Sequence, residues 1–390
     1  MRVQAYTMPR KEFVHSGILA FATGGVHTTM IGSIRSYMRY TVVLLVCTLL
    51  AAMVIMPANQ AMAVPSIETN AKASALIDVA SGRILYSSNG DTPMRIASLT
   101  KIMTAIVAIE HGNLDDMVKT PKRAVGKEGS SIYLQLGEEM TLHNMLYGLM
   151  LRSGNDAATA IAEHVGGSEE GFVHLMNEKA AMLGLANSSY KNPHGLDEEG
   201  HYSSANDLAK LTAYAIKNEY FAEIVRTKVK QVPNPHDSWN YAWKNKNKML
   251  SLYEGADGVK TGYTKKSFRC LVSSATRAGQ QLAAVTINDG DDWNDHSHML
   301  DWGFQYYPLQ TIASQGEAVA GYPYVLGGTF RYPLEENERD SIHTKLTLAD
   351  PTSMDYALGE RGLLEFQMGG HTIGSVSVYE PGDIRLSSKK

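Results

Sequence analysis

The sequence predicts an α+β body, a sheet joining both ends of a central helical block, followed by a small all-β domain. Three observations carry this expectation. Strand-like runs at residues 73–89, then at 258–264, 268–276 and 281–288, flank a long stretch whose apolar residues recur at helical spacing. A last helical stretch at 293–307 closes the body, so the sheet joins both ends of one domain around the helices. From Pro308 onward, short β-type runs alternate with Gly and Pro, as in residues 345–348, 363–368 and 375–379.

The leading residues read differently from the rest. Residues 41–56 (TVVLLVCTLLAAMVIM) hold no charge, follow Arg35 and Arg39, and precede Ala61-Met62-Ala63. A basic region, a short apolar run and an A-x-A site make a secretory signal peptide over 1–63, with the start at Met30 or Met38 as an alternative. The run is short for a bilayer-spanning helix, which needs about 20 residues. Membrane contact is expected only if this segment stays uncleaved, so a secreted or wall-associated, extracytoplasmic protein is the expectation. Cys47 lies inside the apolar run, and Cys270 is then the remaining cysteine, in a strand-like RCLVSSAT where a buried, inert thiol is expected.

Within the body, residues 73–89 read as a hairpin about Ser81-Gly82, and residues 96–110 as a helix with Ile102, Met103, Ile106 and Ile109 in period. Further helices are expected at 142–151, 156–164 and 169–183, the last two closed by Gly166-Gly167 and Gly184. Another starts near Ser204, whose spacing to Asp207 suits a capping box. The body thus spans 64–308 and the β-rich segment 309–390. Net charge is −4 overall, while residues 1–63 hold five basic residues against Glu12, leaving an acidic remainder. An acidic body excludes a nucleic-acid partner, which needs a basic face.

Three short motifs carry the chemistry. Ser98-Leu99-Thr100-Lys101 opens the first helix, placing hydroxyl and amine on one side, one turn apart. A serine hydroxyl becomes a nucleophile when a base takes its proton, and a lysine can be that base where burial and positive neighbours depress its pKa. S-x-x-K also occurs at Ser188 and Ser387, and S-x-N at Ser87, Ser153, Ser204 and Ser238, so each match alone is weak. Context selects among them. Ser98 alone of its set opens an apolar-periodic helix, and Ser153-Gly154-Asn155 alone of its set lies in a tight break between apolar helices. Lys260-Thr261-Gly262 occurs once, in a short strand where Gly262 leaves room for a substrate along the edge.

Together these motifs, with RIASLTKIMTA, YGLMLRSGNDAATAIAEHVGG, KNPHGLDEEGHYSSANDLAKL and DGVKTGYT, make residues 70–308 resemble the low-molecular-mass penicillin-binding proteins, the serine D-Ala-D-Ala carboxypeptidases. The later segment is more loosely similar to that family's C-terminal β-domain. WKNKNKML and AVTINDGDDWNDH resemble the branch acting on the spore cortex. The resemblance implies a penicillin-binding-protein/β-lactamase-like transpeptidase domain and, as substrate, a peptidoglycan stem peptide ending in D-Ala-D-Ala, with β-lactams as covalent inhibitors. It implies Ser98 as nucleophile, Lys101 as general base and Ser153 as proton relay. Asn155 would hold a substrate amide or orient Lys101, and Lys260 and Thr261 would bind the terminal carboxylate. Backbone N–H groups of Ser98 and Tyr263 would hold the oxyanion. No cofactor is implied.

Alternatives remain. A class A-like β-lactamase needs a glutamate for fast deacylation, and no E-x-x-L-N element lies between Asn155 and Lys260. A DD-endopeptidase differs only in its leaving group. A zinc peptidase has no H-E-x-x-H here, and His194, His201, His296 and His298 are expected to be solvated or capping. Relatives with an arginine after the last strand use it on the carboxylate; here residues 289–295 are acidic, with His296 the cationisable candidate, while Lys265 and Lys266 add charge after K-T-G.

Overall fold

The structure, a computed structural model, describes residues 41–45, 64–236 and 238–383. Residues Met1–Met62 and Ala63–Lys390 form two compact units. Of the first, residues 41–45 are helical, and the rest of the expected signal peptide lies outside the described residues. No helix among the described residues is long and apolar enough to cross a membrane.

The second unit is built on a five-stranded antiparallel sheet in the order β2-β1-β9-β8-β7. Its strands are β1 (Ala73–Asp78), β2 (Ile84–Ser88), β7 (Ala256–Thr264), β8 (Phe268–Arg277) and β9 (Gln280–Ile287), so the first and last parts of the body pair as expected. Side chains alternate across a strand, and here both faces are covered. Ala73, Ala75 and Ile77 of β1 and Ala283, Val285 and Ile287 of β9 enter the larger core with the helices. Leu76, Leu282 and Ala284 face the other way, onto Met299 and Leu300 of the closing helix Asp292–Tyr306. Two buried faces explain why these strands read as nearly continuous apolar runs rather than alternating ones.

The helical cluster contains α1 (Thr100–His111), α2 (Leu142–Tyr147), α3 (Asn155–Gly166), α4 (Glu169–Met182), α5 (Ala205–Ile216) and α6 (Glu219–Arg226). Every residue of α1 from Thr100 to Ala108 is buried, so it is a central helix surrounded on all sides. Ser204 caps α5 by accepting the Asp207 N–H at 3.2 Å, and α3 ends on Gly167 at φ +72°. Sequence periodicity missed α6, the two-stranded pair β3 (Met117–Lys119) and β4 (Glu139–Thr141), and the pair β5 (Val229–Val232) and β6 (Tyr241–Lys244). These runs of three to eight residues are too short for periodicity to register.

Beyond Tyr307, β10 (Leu309–Ala313) pairs with β12 (Phe330–Pro333), and a four-stranded sheet has the order β11-β15-β14-β13. Its strands are β11 (Val325–Leu326), β13 (His343–Leu348), β14 (Gly362–Met368) and β15 (His371–Tyr379). Phe366, Val378, Leu326 and Ala313 form a core of their own. Arg83, between β1 and β2, ties this segment to the body. Its guanidinium donates to Pro333 O at 2.6 Å and to Glu338 Oε2 at 2.9 Å, against the rings of Tyr307 and Tyr332.

Candidate active site

Ser98 does not lie in α1 itself. It occupies a 3-10 turn, Ala97–Leu99, that leads into the helix. Ala97 has φ +47°, a left-handed conformation that costs a non-glycine residue energy and persists only where surroundings fix it. Thr100 Oγ1 donates to Ala97 O at 2.8 Å and lies 2.8 Å from His201 Nε2. Lys191 N–H donates to His201 Nδ1 at 3.0 Å, which puts the ring proton on Nε2, facing the threonine. A Cβ on Gly195, at φ +86°, would fall 1.9 Å from Ala97 O, so glycine lets the 193–196 loop close over this turn.

That loop supplies part of the lysine's environment. Lys101 Nζ is 3.1 Å from Ser98 Oγ, 2.6 Å from Asn155 Oδ1 and 2.6 Å from His194 O. The two carbonyl-type oxygens can only accept. A neutral amine therefore spends both N–H bonds on them and keeps its lone pair for the Ser98 hydroxyl. Asn155 is held in this orientation because its Nδ2 donates to Glu128 O at 2.6 Å. Burial, then the charge of Lys260, then that of Lys246, hold Lys101 well below the usual lysine range. Burial also brings Lys260 down to about 7.

A second set of bonds fixes the opposite wall. Asp156, in the first turn of α3, accepts from Ser131 Oγ at 2.6 Å and from the N–H groups of Ile132 and Leu134 at 3.1 Å each. Ser153 stands between the π-turn Gly148–Arg152 and α3, in a left-handed conformation with φ 64° and ψ 36°. This turn is the tight break read from R-S-G-N-D.

Between the walls lies a cleft of about 440 Å³ lined by Ser98, Ser130, Ser153, Thr261, Gly262 and Tyr263. Lys101, Asn155 and Lys260 stand behind its surface rather than on it, all three buried. Lys260 Nζ donates to Thr261 O at 2.8 Å. All eight residues singled out by the sequence thus meet at one cleft, in two layers. Gly262 lines the cleft, and a Cβ there would also sit 3.2 Å from Ser98 N and Ile96 O. Its missing side chain is room for the turn that holds Ser98, and β7 can press against that turn only for this reason.

The cleft's cations differ from those expected. Lys246, Lys248 and Arg269 line it, whereas Lys265 and Lys266 sit in the β7–β8 turn and do not. His296 cannot serve: it is fully buried, between the hydroxyls of Ser273 and Thr286, and burial lowers it to about 3. Arg269 stands opposite Tyr263 in the β7–β8 register, forks onto Asp292, and lies over the Trp293 ring. Two signals could have found these cations: the alternation K-N-K-N-K at 244–248, and the hairpin register that pairs Arg269 with Tyr263. His194 and His201 are buried rather than solvated, and desolvation brings His201 down to about 4. Among the described residues no group of three or more His, Cys, Asp or Glu is placed to hold a metal ion.

A buried lysine one helical turn from a serine, with a second buried lysine on the neighbouring strand β7, is the arrangement of a serine hydrolase. Residues 58–291 match the model of the D-alanyl-D-alanine carboxypeptidase family, and the chain belongs to that family. It is 38% identical over 283 residues to D-alanyl-D-alanine carboxypeptidase DacF of Bacillus subtilis, covering 70% of this chain and 72% of that one. To D-alanyl-D-alanine carboxypeptidase DacC of Escherichia coli it is 34% identical over 356 residues, 85% of this chain and 84% of the other. The fold is similar to the crystal structure of penicillin binding protein 5 from Haemophilus influenzae, with a TM-score of 0.67 at 27% identity, covering 81% of this chain and 98% of that one.

Proposed function

We propose that this protein is exported and removes the terminal D-Ala from peptidoglycan stem peptides through an acyl-enzyme on Ser98. The observation that carries the reading is the Lys101 amine, buried, depressed in pKa, and 3.1 Å from Ser98 Oγ with its other bonds committed to carbonyl oxygens. In this reading Lys101 takes the Ser98 proton as the oxygen attacks the penultimate D-Ala carbonyl. Backbone N–H groups of Ser98 and Tyr263 hold the oxyanion, and Ser153 passes the proton to the leaving D-Ala amine. Water then hydrolyses the ester. Thr261, with Lys260 behind it and Lys246, Lys248 and Arg269 on the cleft, receives the terminal carboxylate. A β-lactam, which carries an acyl group and a carboxylate in similar relation, acylates the same serine.

Catalysis rests on residues 64–308 in this proposal, with 309–390 a β-rich spacer or docking platform. Ser98→Ala is expected to abolish both labelling by a fluorescent penicillin and release of D-Ala from a pentapeptide; unchanged labelling would exclude Ser98 as nucleophile. Mass spectrometry of a cross-linked dimer separates carboxypeptidase from endopeptidase, the former leaving the cross-link intact. A role in the spore cortex, suggested by the motifs at 243–250 and 284–296, is tested by whether deletion alters cortex cross-linking without altering vegetative wall.

A further inference from the structure

A second groove, of about 550 Å³, runs beside the cleft and takes no part in the chemistry above. The two share a wall: Ser130 and Ser153 line the cleft, and their chain neighbours Ser131 and Arg152 line the groove. The groove's sides are aromatic and come from two separate elements. On one side, Trp239, Tyr241 and Trp243 stand at every second position into β6 and contact one another in sequence, at ring separations of 6.0 and 5.7 Å. On the other stands Tyr133, 84% exposed, on a backbone with φ +64°.

A bulky residue in the left-handed region, with its ring in water, is costly on both counts. The loop that presents Tyr133 is nonetheless rigidly held, by the three bonds to Asp156 and by Tyr133 N–H donating to Ser131 Oγ at 2.8 Å. Buried Glu138 ties the two sides together. It accepts from Gln135 N–H at 2.9 Å, lies 3.1 Å from His236 Nε2, and is within 3.4 Å of Tyr241 Oη. Trp239 is likewise exposed, at 57%. Two exposed aromatic side chains on the lining of one groove, with Arg152 and Asn234 beside them as donors, suit a flat ring with apolar C–H faces and a polar rim. A pyranose has that character.

We propose that this groove binds the N-acetylated amino sugars of the glycan strand, and so selects stem peptides that are still attached to sugar. The inference rests on the proposed substrate. In that substrate about four residues separate the scissile carbonyl from the sugar, a span of at most ~14 Å when extended. The groove begins one residue away from the cleft wall, within that reach.

The test compares release of D-Ala from a free pentapeptide and from the same pentapeptide on its disaccharide, in the native enzyme and in Trp239→Ala and Tyr133→Asn, the latter tolerant of the left-handed backbone. The native enzyme is expected to prefer the disaccharide substrate by about tenfold in kcat/KM, the worth of one or two aromatic stacks. In both variants that ratio falls toward one, with the free pentapeptide and penicillin acylation unaffected. A native ratio of one, or an equal loss on both substrates, overturns the proposal and marks the groove as structural or as a peptide site. If neither substrate loses D-Ala, the proposed reaction is what fails. The groove is then judged alone, by quenching of tryptophan fluorescence with a chitin tetrasaccharide: quenching lost in Trp239→Ala supports it, and none in the native protein overturns it.

Discussion

Asn155→Asp tests the assignment of the base directly. The replacement keeps the side chain's size and puts a carboxylate oxygen where Oδ1 now stands, 2.6 Å from Lys101 Nζ. Two unit charges at that separation, in a medium of effective permittivity of about 20, attract by about 6 kcal/mol. Burying the new carboxylate, and losing the Nδ2 bond to Glu128 O, take back part of it, and the remainder still favours the ammonium. The sign follows: a nearby anion favours the ammonium, so the lysine's pKa rises and its neutral fraction falls wherever the pH lies below the raised pKa. Acylation falls with it. Stopped-flow acylation by a fluorescent penicillin between about pH 6 and about pH 11 should show that loss at neutral pH. It should also show a rate that climbs tenfold per pH unit until it approaches the native curve. A loss of the same size at every pH would refute the reasoning, since it would make Asn155 a positioning group with no hold on the proton. No loss at all would refute it more simply.

Other expectations follow from the same geometry. Gly262→Ala places a methyl 3.2 Å from Ser98 N, so the turn must yield by a few tenths of an ångström. Acylation should fall about ten- to a hundredfold with little change in thermal midpoint, and a normal rate would show that the turn is free to move. Arg83→Ala removes the guanidinium between Pro333 O and Glu338 and should destabilise the protein by about 2–3 kcal/mol. Limited proteolysis should then open sites near 308–342 with D-Ala release retained; an unchanged digestion pattern would count against Arg83 as the tie. Buried His201 and His296 are lowered to about 4 and about 3. Both titrate lower folded than unfolded, so the unfolded chain binds more protons below about pH 6.5 and stability falls as pH drops through that window. Between about pH 6.5 and about pH 5 each costs about 2 kcal/mol, readable in urea midpoints; a flat profile would mean that these rings are not buried in the neutral form.

The sequence disclosed the residues proposed to react better than their surroundings, and the reason is physical. S-x-x-K fixes a hydroxyl and an amine one helical turn apart, so their meeting is a local matter that spacing alone reports. The left-handed Ala97, the His201 ring that steadies Thr100, and the His194 carbonyl that holds Lys101 depend on a loop about 100 positions away, and nothing in composition marks that closure. The cations failed for a related reason. Looking along the chain after the last strand led to His296, which the fold buries against Ser273 and Thr286. Looking across the hairpin from Tyr263 would have led to Arg269. Strands β8 and β9 were legible although both their faces are covered, because two runs of ten and eight residues meeting at Ala278-Gly279 read as a hairpin. The pairs β3–β4 and β5–β6, three and four residues to a strand, offered no such length.

The two buried lysines act on one another, and that coupling gives the site a direction. Charge on Lys260 lowers Lys101, so protonating Lys260 favours the neutral form of Lys101. Lys101 faces two carbonyl oxygens and a hydroxyl; Lys260 backs the wall of Thr261, where the proposed substrate carboxylate arrives. An anion bound there favours the charged Lys260, and through it the neutral Lys101. Near pH 7, where Lys260 is poised, carboxylate binding therefore pushes the base toward the form that can accept the Ser98 proton. A substrate without its terminal carboxylate should lose this push as well as the contact. Amidating that carboxyl is then expected to lower kcat as well as raise KM, with the kcat loss shrinking as pH rises and Lys101 becomes neutral unaided. A loss confined to KM at every pH would show that the two amines titrate independently.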